Sequence, residues 1–393
     1  MITLSQSRTD SQFVQNPYAF YQEARSHGTM FHWQEYGMPA ALSYALVSML
    51  FKDRRFGREV PTEYAPEIPK HLEPFYSVEA HSMLELEPPR HNRLRSLVLR
   101  AFTSRAIADL RPGIEALCHK LIDEFPSEPF DLLDAYCSQV PVITIARLLG
   151  VPDEMAPQFL RWSHSMVAMY QAVHTRMQEE AAAQAASEFS NFLTGYIETR
   201  RQTPGDDLIT RLIEAEESGD RLSTPELIAT CILLLNAGHE ATVHSLGTGV
   251  KTLLENDVDP DWLSPECVEQ TVEEILRYEP PVHMFTRWAY ENIEVGHHTF
   301  RRGDRVALLL GAANRDPSVW ENPEQFNPTR PVVTNMSFGG GLHFCVGAPL
   351  ARLEMEIALP ILFERCPRLS IASLPVFANC YHFHGLERLI VKV

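Results

Sequence analysis

The sequence lacks the marks of a membrane-bound or secreted protein. Its longest apolar run, residues 227–235, is far shorter than the ~20 residues that a helix needs to cross a bilayer. The first residues contain no apolar core of the kind found in signal peptides. The seven cysteines are scattered along the 393 residues, which suits a reducing compartment and not a disulfide framework. We therefore expect a cytoplasmic protein.

Positive charge is also scarce. The chain has 34 lysine and arginine residues against 51 aspartate and glutamate residues, a net charge of −17. This balance disfavours non-specific binding to nucleic acid or to an anionic membrane surface. Internal repeats, low-complexity tracts and obvious linkers are absent as well, and 45% hydrophobic residues are enough for a large core.

A glycine-rich stretch at residues 337–347, SFGGGLHFCVG, contains one cysteine. Apolar residues with the spacing of one helix face follow it: Leu350, Leu353, Ile357 and Ile361. Cys345 therefore precedes a predicted helix N-terminus, where the helix dipole and free N–H groups favour a thiolate. Such a group could be a nucleophile with His343 as its base, a redox thiol or a metal ligand, and a buried structural cysteine is the commoner case. No second cysteine lies at C-x-x-C spacing, which disfavours a dithiol couple or a structural zinc site.

The pattern Phe338-x-x-Gly341-x-x-x-Cys345-x-Gly347 resembles the haem-binding loop of the cytochrome P450 superfamily, the haem-thiolate monooxygenases. The resemblance extends over roughly residues 15–393. It implies one domain over residues 1–393, mainly α-helical with small β-sheets (α+β). It also implies that a haem b is bound between a long central helix and this loop, where Phe338 and Gly347 contact it and Cys345 is the axial ligand of the iron.

The predicted helix after Pro89 places His91 and Arg95 on one face, because they are four residues apart. The resemblance implies that these two residues, together with Arg287 and His343, hold the haem propionates. Arginine suits this role because its guanidinium matches the geometry of a carboxylate.

The same helix carries basic residues on its other faces. Five arginines and no acidic residues occur between residues 90 and 105. We expect Arg93 and Arg100 to form a docking patch for an acidic electron donor.

A capping box, Ser223-Thr-Pro225-Glu226, predicts a helix that runs to about residue 256. Within it, LLLNAGHEATVHSL places a glycine in mid-helix, which costs about 1 kcal/mol relative to alanine. The simplest interpretation is a helix contact at Gly238 with Glu240 facing solvent. The resemblance implies instead that Ala237 and Gly238 leave room for dioxygen and that Glu240, with Thr242, takes part in proton delivery.

The sequence departs from the family at this helix. The usual pattern has an acidic residue followed directly by threonine, whereas this chain has Ala241 there and Thr242 one position later. One position is about 100° around a helix axis, so the hydroxyl of Thr242 need not point the same way. The departure bears on proton delivery and not on haem binding.

Glu274 and Arg277 are three residues apart on one helix face, and with Arg330 they match the family's structural ion-pair group behind the haem loop. Apolar residues at helical spacing are more often core than pocket. The resemblance nevertheless makes several of them candidates for the substrate pocket: Met166, Met169, Tyr170, Leu234, Val282, Met284 and Phe285. We also predict that strands at residues 293–295 and 305–309 pair in a small sheet, and that a hairpin at residues 375–383 borders the pocket.

The resemblance implies a monooxygenase that inserts one oxygen atom from O2 into an apolar small organic substrate. Its electrons would come from NAD(P)H through a ferredoxin or flavodoxin and a separate reductase, because the chain is too short for a fused one. Three alternatives stay open: a peroxide-driven peroxygenase, a nitrogen-oxide reductase and a haem-binding sensor without turnover. Nothing in the sequence indicates the oligomeric state, and we expect a monomer by default.

Overall fold

The computed structural model describes residues 1–171, 174–217 and 222–393. The α-helices are α1 Ser11–Gln15, α2 Pro17–Ser26, α3 Tyr44–Lys52, α4 Glu73–Glu79, α5 Arg90–Ala101, α6 Ser104–Ala108, α7 Arg111–Asp123, α8 Gln139–Leu149, α9 Ala156–Val167, α10 Arg176–Gln202, α11 Leu208–Glu217, α12 Thr224–Glu255, α13 Val268–Tyr278, α14 Leu310–Asn314 and α15 Ala348–Arg365. The strands are β1 Thr3–Leu4, β2 Met30–Trp33, β3 Met38–Ala41, β4 Phe56–Gly57, β5 Phe130–Asp131, β6 Met284–Ala289, β7 Ile293–Val295, β8 His298–Phe300, β9 Arg305–Leu309, β10 Ser370–Ile371, β11 Val376–Phe377, β12 Leu386–Arg388 and β13 Ile390–Lys392. The fold is thus mainly α-helical with small β-sheets, as the sequence predicts.

Helix α12 is the central element. Its 32 residues make it about 48 Å long, and it packs against α8, α9, α13 and α15. The predicted capping box is present: the Ser223 hydroxyl accepts a hydrogen bond from the Glu226 N–H, and the Glu226 carboxylate accepts one from the Ser223 N–H. Since this cap fixes where the helix begins, it also fixes which residues of α12 face the cysteine loop.

The main sheet has the strand order β1-β2-β3-β9-β6-β4. The predicted pairing of residues 293–295 with 305–309 is wrong, because β9 pairs with β6 and β3 while β7 pairs with β8. The reason is local: Gly296 has a φ of +59°, which allows a tight turn that folds β8 directly back onto β7. The hairpin predicted at residues 375–383 is present but extends further along the chain, because β11 pairs with β12, which ends at Arg388.

Two further features complete the fold. The proline-rich residues 61–89 contain one α-helix, α4. Within the described ranges, none of the helices combines the length and the apolar character needed to cross a bilayer.

A buried ion-pair group joins α13 to the segment before the cysteine loop. The Arg277 guanidinium donates two hydrogen bonds to the Glu274 carboxylate, at 2.7 and 2.8 Å, and Arg330 Nε lies 3.4 Å from the same carboxylate. Arg277 also donates to the carbonyl oxygens of Asn314 and Pro323 at 3.1 and 2.9 Å. Both members of the central pair are buried, so the guanidinium is satisfied only if this whole segment is in place.

We expect Arg277→Ala to lower the free energy of unfolding by about 3–5 kcal/mol, because it leaves the Glu274 carboxylate buried without its main partner. Urea denaturation followed by circular dichroism measures this value. The matched control is Arg365→Ala, which removes an exposed ion pair with Asp123 and should cost under about 1 kcal/mol. Equal losses in the two variants would contradict a structural role for the buried pair.

Candidate functional site

The cysteine loop is anchored to α13 and α14 through Asn314. Its side-chain amide donates to the Ser337 hydroxyl at 2.9 Å, and its side-chain oxygen accepts from the Met336 N–H at 2.6 Å. The Ser337 hydroxyl in turn donates to the Leu276 carbonyl at 2.6 Å. Because Arg277 holds the Asn314 carbonyl, a chain of hydrogen bonds links the buried ion-pair group to the start of the loop.

Within the cysteine loop, the backbone passes so close to α3 that no side chain fits at Gly341. Gly339 and Gly341 have φ values of +70° and +65°, and a Cβ at Gly341 would lie 2.0 Å from the Phe51 carbonyl oxygen. Glycine is therefore required at position 341. The Cys345 N–H then donates to the Phe338 carbonyl at 3.0 Å, which fixes the cysteine just before α15 begins at Ala348.

The Cys345 side chain faces a large cavity. Burial raises the pKa of the Cys345 thiol, while the N–H groups of Gly347 and Ala348 and the guanidinium groups of Arg95 and Arg352 oppose this shift. The sulfur is thus surrounded by groups that stabilise its anionic form as a ligand.

The cavity has a volume of about 600 Å³ and lies between the cysteine loop and α12. It brings together most residues that the sequence analysis singled out. Those that line it are His91, Arg95, Tyr170, Leu234, Ala237, Gly238, Glu240, Thr242, Val282, Met284, Phe285, Phe338, His343, Cys345 and Gly347. The hairpin tip lines it as well, through residues 380–383.

Two pocket candidates do not line this cavity. Met166 and Met169 are buried in the core, and the Met166 sulfur lies 3.7 Å from the amide nitrogen of Asn236. Their neighbours Val167 and Tyr170 face the cavity instead. The end of α9 and the turn after it therefore direct these methionines inward, as is usual for apolar residues at helical spacing.

The wall formed by α12 consists of small residues and hydroxyl groups. Thr242 Oγ1 donates to the Gly238 carbonyl at 3.3 Å, and Ser245 Oγ donates to the Ala241 carbonyl at 2.9 Å. Ser245 also lines the cavity and was missed by the sequence analysis, although it lies one helical turn after Thr242. A Cβ at Gly238 would lie 3.4 Å from the Ile145 side chain, an ordinary van der Waals distance, so the packing of α12 against α8 does not require this glycine.

Glu240 does not face bulk solvent, because its side chain is only 19% exposed and lines the cavity. Burial alone raises the pKa of the Glu240 carboxyl, but the facing imidazoles of His239 and His244 outweigh burial and hold that pKa well below its usual range. The α12 wall therefore presents an ionised carboxylate at neutral pH.

Two arginines near the loop lack a carboxylate partner among the described residues. Arg95 donates to the Phe344 carbonyl at 2.7 Å. Arg287 is buried, donates to the Thr286 carbonyl at 2.8 Å and lies 5.0 Å from the centre of the Phe51 ring, but it does not line the cavity itself. Burial and the neighbouring Arg58 lower the pKa of Arg287 to about 9. Arg287 is buried and Arg95 is half-buried, and neither forms an ion pair with a carboxylate of the described residues. An anionic ligand would therefore be stabilised here, and the two carboxylates of a haem meet this requirement.

The rings of the two predicted propionate histidines, His91 and His343, lie against one another with their centres 4.4 Å apart and their planes tilted by 51°. Burial lowers the pKa of His91 to about 4, so its imidazole is neutral at pH 7 and acts as a hydrogen-bond donor. His343 Nε2 lies 2.8 Å from Glu87 Oε1. Sequence reasoning missed Glu87, because 256 residues separate the two partners.

The docking role predicted for Arg93 stays a prediction, and its side chain is 44% exposed. Its guanidinium donates to the Glu226 carboxylate, which belongs to the cap of α12. Arg93 thus ties α5 to the start of the central helix.

The comparisons with known proteins agree on one family. The cytochrome P450 family model matches residues 266–370. The polyketide biosynthesis cytochrome P450 PksS of Bacillus subtilis is 40% identical over 351 residues, which are 87% of this chain and 85% of the relative. The 6-deoxyerythronolide B hydroxylase of Saccharopolyspora erythraea is 38% identical over 80% of this chain and 78% of the relative. Among solved structures, that of P450BioI in complex with hexadec-9Z-enoic acid ligated acyl carrier protein has a TM-score of 0.90, 33% identity, and coverage of 98% of this chain and 100% of that one.

We expect Arg95→Ala to release haem roughly 10- to 100-fold faster, because a hydrogen bond to a charged group contributes about 1.5–3 kcal/mol. Transfer of haem from the loaded protein to an excess of an apo-globin measures the rate. The control is Arg105→Ala, whose side chain is 93% exposed and which should release haem at the rate of the unaltered protein. Identical rates in all three proteins would contradict a propionate-binding role for Arg95.

Proposed function

Because the chain belongs to the cytochrome P450 family and is an oxidoreductase of that family, we propose that it uses a haem b, ligated through Cys345, to hydroxylate an apolar organic substrate with O2. One observation carries this proposal: the Cys345 sulfur faces the Ala237–Thr242 segment of α12 across a cavity that is also lined by Arg95, which has no carboxylate partner among the described residues. One oxygen atom enters a C–H bond and the other leaves as water, which consumes two electrons and two protons.

The haem, when bound, supplies the activation of O2 and the transfer of one oxygen atom. The protein supplies its position. Cys345 is fixed by the hydrogen bond from its N–H to the Phe338 carbonyl. Arg95 and Arg287 would neutralise the propionates and His91 would donate a hydrogen bond to one of them. His343, which was also predicted to bind a propionate, has its Nε2 paired with Glu87. On the α12 side of the cavity, the small size of Ala237 and Gly238 leaves space for a small molecule such as dioxygen.

Protons reach the cavity through Glu240 in this proposal. Ala241 has no hydroxyl group, and the hydroxyls of Thr242 and Ser245 are hydrogen-bonded to carbonyls of their own helix. The ionised Glu240 carboxylate can accept a proton from the histidine side and pass it to water in the cavity.

The substrate is proposed to be apolar because most lining side chains are: Met83, Leu84, Phe102, Leu233, Leu234, Val282, Met284, Phe285 and Phe383. The names of the similar proteins point the same way. PksS is named for polyketide biosynthesis, and P450BioI was solved with a hexadecenoic acid ligated carrier protein. We propose a substrate with an extended hydrocarbon or polyketide skeleton.

The proposed electron donor is a small acidic ferredoxin or flavodoxin with its NAD(P)H-dependent reductase. Helix α5 touches the cysteine loop through Arg95. Arg90 and Arg100 on α5 and Arg105 on α6 are exposed, so this surface offers positive charges that are opposite in sign to those of such a donor. Complementary charge of this kind speeds encounter.

The decisive experiment reduces the haem-loaded protein and adds carbon monoxide. We expect the strongly red-shifted Soret band of a thiolate-ligated haem in the unaltered protein and in Cys267→Ala, and its loss in Cys345→Ala. Turnover is then measured with NAD(P)H, ferredoxin, reductase and apolar compounds under labelled O2, with one labelled atom expected in the product. A Soret band without this red shift in the carbon monoxide complex of the unaltered protein would overturn the proposal.

Peroxide-driven chemistry is the second candidate, favoured by the absence of a hydroxyl group at Ala241. The same preparation distinguishes it. Faster product formation with hydrogen peroxide alone than with the electron-transfer proteins would favour the peroxygenase.

We expect Glu240→Gln to lower the rate of product formation roughly 100-fold, as for loss of a general acid–base group. Haem content and the carbon monoxide band should stay unchanged, and more NAD(P)H should be consumed per product. The matched control on the same helix is Glu255→Gln, which alters an exposed pair with Lys251. A product rate within about twofold of the unaltered enzyme would rule out Glu240 as the proton carrier.

A further inference from the structure

Three histidines surround the Glu240 carboxylate. His239 Nε2 lies 3.3 Å and His164 Nε2 3.5 Å from Glu240 Oε2, while His244 Nε2 lies 3.4 Å from the other oxygen, Oε1. The ligand atoms of His164, His239 and Glu240 all lie within 4.8 Å of one another. Proton delivery by Glu240 does not require three imidazoles, and His164 and His244 are unexplained by the haem site.

The hydrogen bond on the far side of the His239 ring determines its tautomer. Nδ1 lies 3.0 Å from the Leu235 carbonyl oxygen, and because a carbonyl can only accept, Nδ1 carries the proton. When Nε2 is protonated as well, its N–H faces the Glu240 carboxylate and contributes to the lowered pKa of that carboxyl. When Nε2 carries no proton, it presents a lone pair to the carboxylate, which is the state that can bind a metal ion. Nε2 is also completely buried and has no hydrogen-bond partner among the described residues.

A lone pair that faces a carboxylate is stabilised by a cation between them. In a tetrahedral zinc site with ligands at about 2.0–2.1 Å, neighbouring ligand atoms are roughly 3.3–3.4 Å apart. The separations of 3.3 and 3.5 Å from Glu240 Oε2 to the two histidine nitrogens match this edge length. A metal-bound histidine also usually donates its second N–H to a carbonyl or carboxylate, as His239 does.

The surroundings allow an ion to enter and orient the carboxylate. The His164 side chain is 61% exposed, so the group opens to solvent at α9. His244 holds the other carboxylate oxygen, and its ring occupies the space beside Gly385, where a Cβ would lie 1.8 Å from His244 Nδ1. The absence of a side chain at Gly385 thus makes room for the imidazole that orients Glu240.

A second cluster of possible metal ligands is less suited to bind a metal ion. Glu279, His283 and His384 also lie close together. Arg315 Nη2 is 3.0 Å from the Glu279 carboxylate, so a cation is already present, and all three residues are buried without an exposed member.

We propose that His164, His239 and Glu240 bind one divalent transition-metal ion, with Zn²⁺ as the best match and water in the fourth position. The ligand set of two imidazoles and one carboxylate is one that zinc accepts readily. If Glu240 carries protons as proposed above, the ion would occupy the carboxylate and inhibit turnover reversibly.

The test measures Zn²⁺ binding to the haem-loaded, chelator-treated enzyme by equilibrium dialysis and elemental analysis. We expect one equivalent bound at micromolar concentrations, and binding weakened at least roughly tenfold in His164→Ala. His164 is exposed, so the variant should fold, and an unchanged carbon monoxide band verifies this. The control is His297→Ala, an exposed histidine in the turn between β7 and β8, which should bind zinc like the unaltered protein.

Equal zinc affinity in His164→Ala and the unaltered enzyme, or no bound zinc in the latter, would overturn the proposal. Binding is measured without turnover, so this result is independent of the monooxygenase assignment. In an active preparation, zinc should inhibit the unaltered enzyme, a chelator should restore its rate, and His164→Ala should resist inhibition. Inhibition of His164→Ala at the same zinc concentration would likewise count against the site.

Discussion

The buried ion pair between Glu274 and Arg277 is the interaction on which the position of Cys345 depends. Arg277 holds the Asn314 carbonyl, and Asn314 holds Ser337 and the backbone of Met336, where the cysteine loop begins. A buried pair of this kind contributes little net stability by itself. Its value here is geometric, because both charges are satisfied only when α13, α14 and the loop are assembled together.

The protein carries a net negative charge, whereas its candidate site contains positively charged arginines. The chain carries a net charge of −17, yet Arg95 acts on Cys345 and Arg287 is buried, and neither forms an ion pair with a carboxylate of the described residues. Keeping such cations desolvated is unfavourable in the free protein. An anionic cofactor that binds only the folded state removes this cost, so cofactor binding and stability are coupled.

The features that the sequence predicted are those set by local spacing. The cap at Ser223 starts α12, and the apolar repeat after Cys345 places the sulfur at the start of α15. Contacts between distant segments could not be predicted in this way. The pairing of His343 with Glu87 and the capture of Arg93 by Glu226 join residues 256 and 133 positions apart, and neither leaves a periodic signal.

The alanine at position 241 determines which residues of α12 are available to exchange protons. Without a hydroxyl at that position, Thr242 and Ser245 could replace it only by giving up hydrogen bonds to their own helix, at 3.3 and 2.9 Å. The Glu240 carboxylate is not engaged in this way, and the histidines around it keep it ionised. If Glu240 both carries protons and binds a metal ion, as we propose, the two uses exclude one another, because both need the same oxygen lone pairs. In that case the exposed His164 is the residue through which a metal ion in the solvent acts on the chemistry inside the cavity.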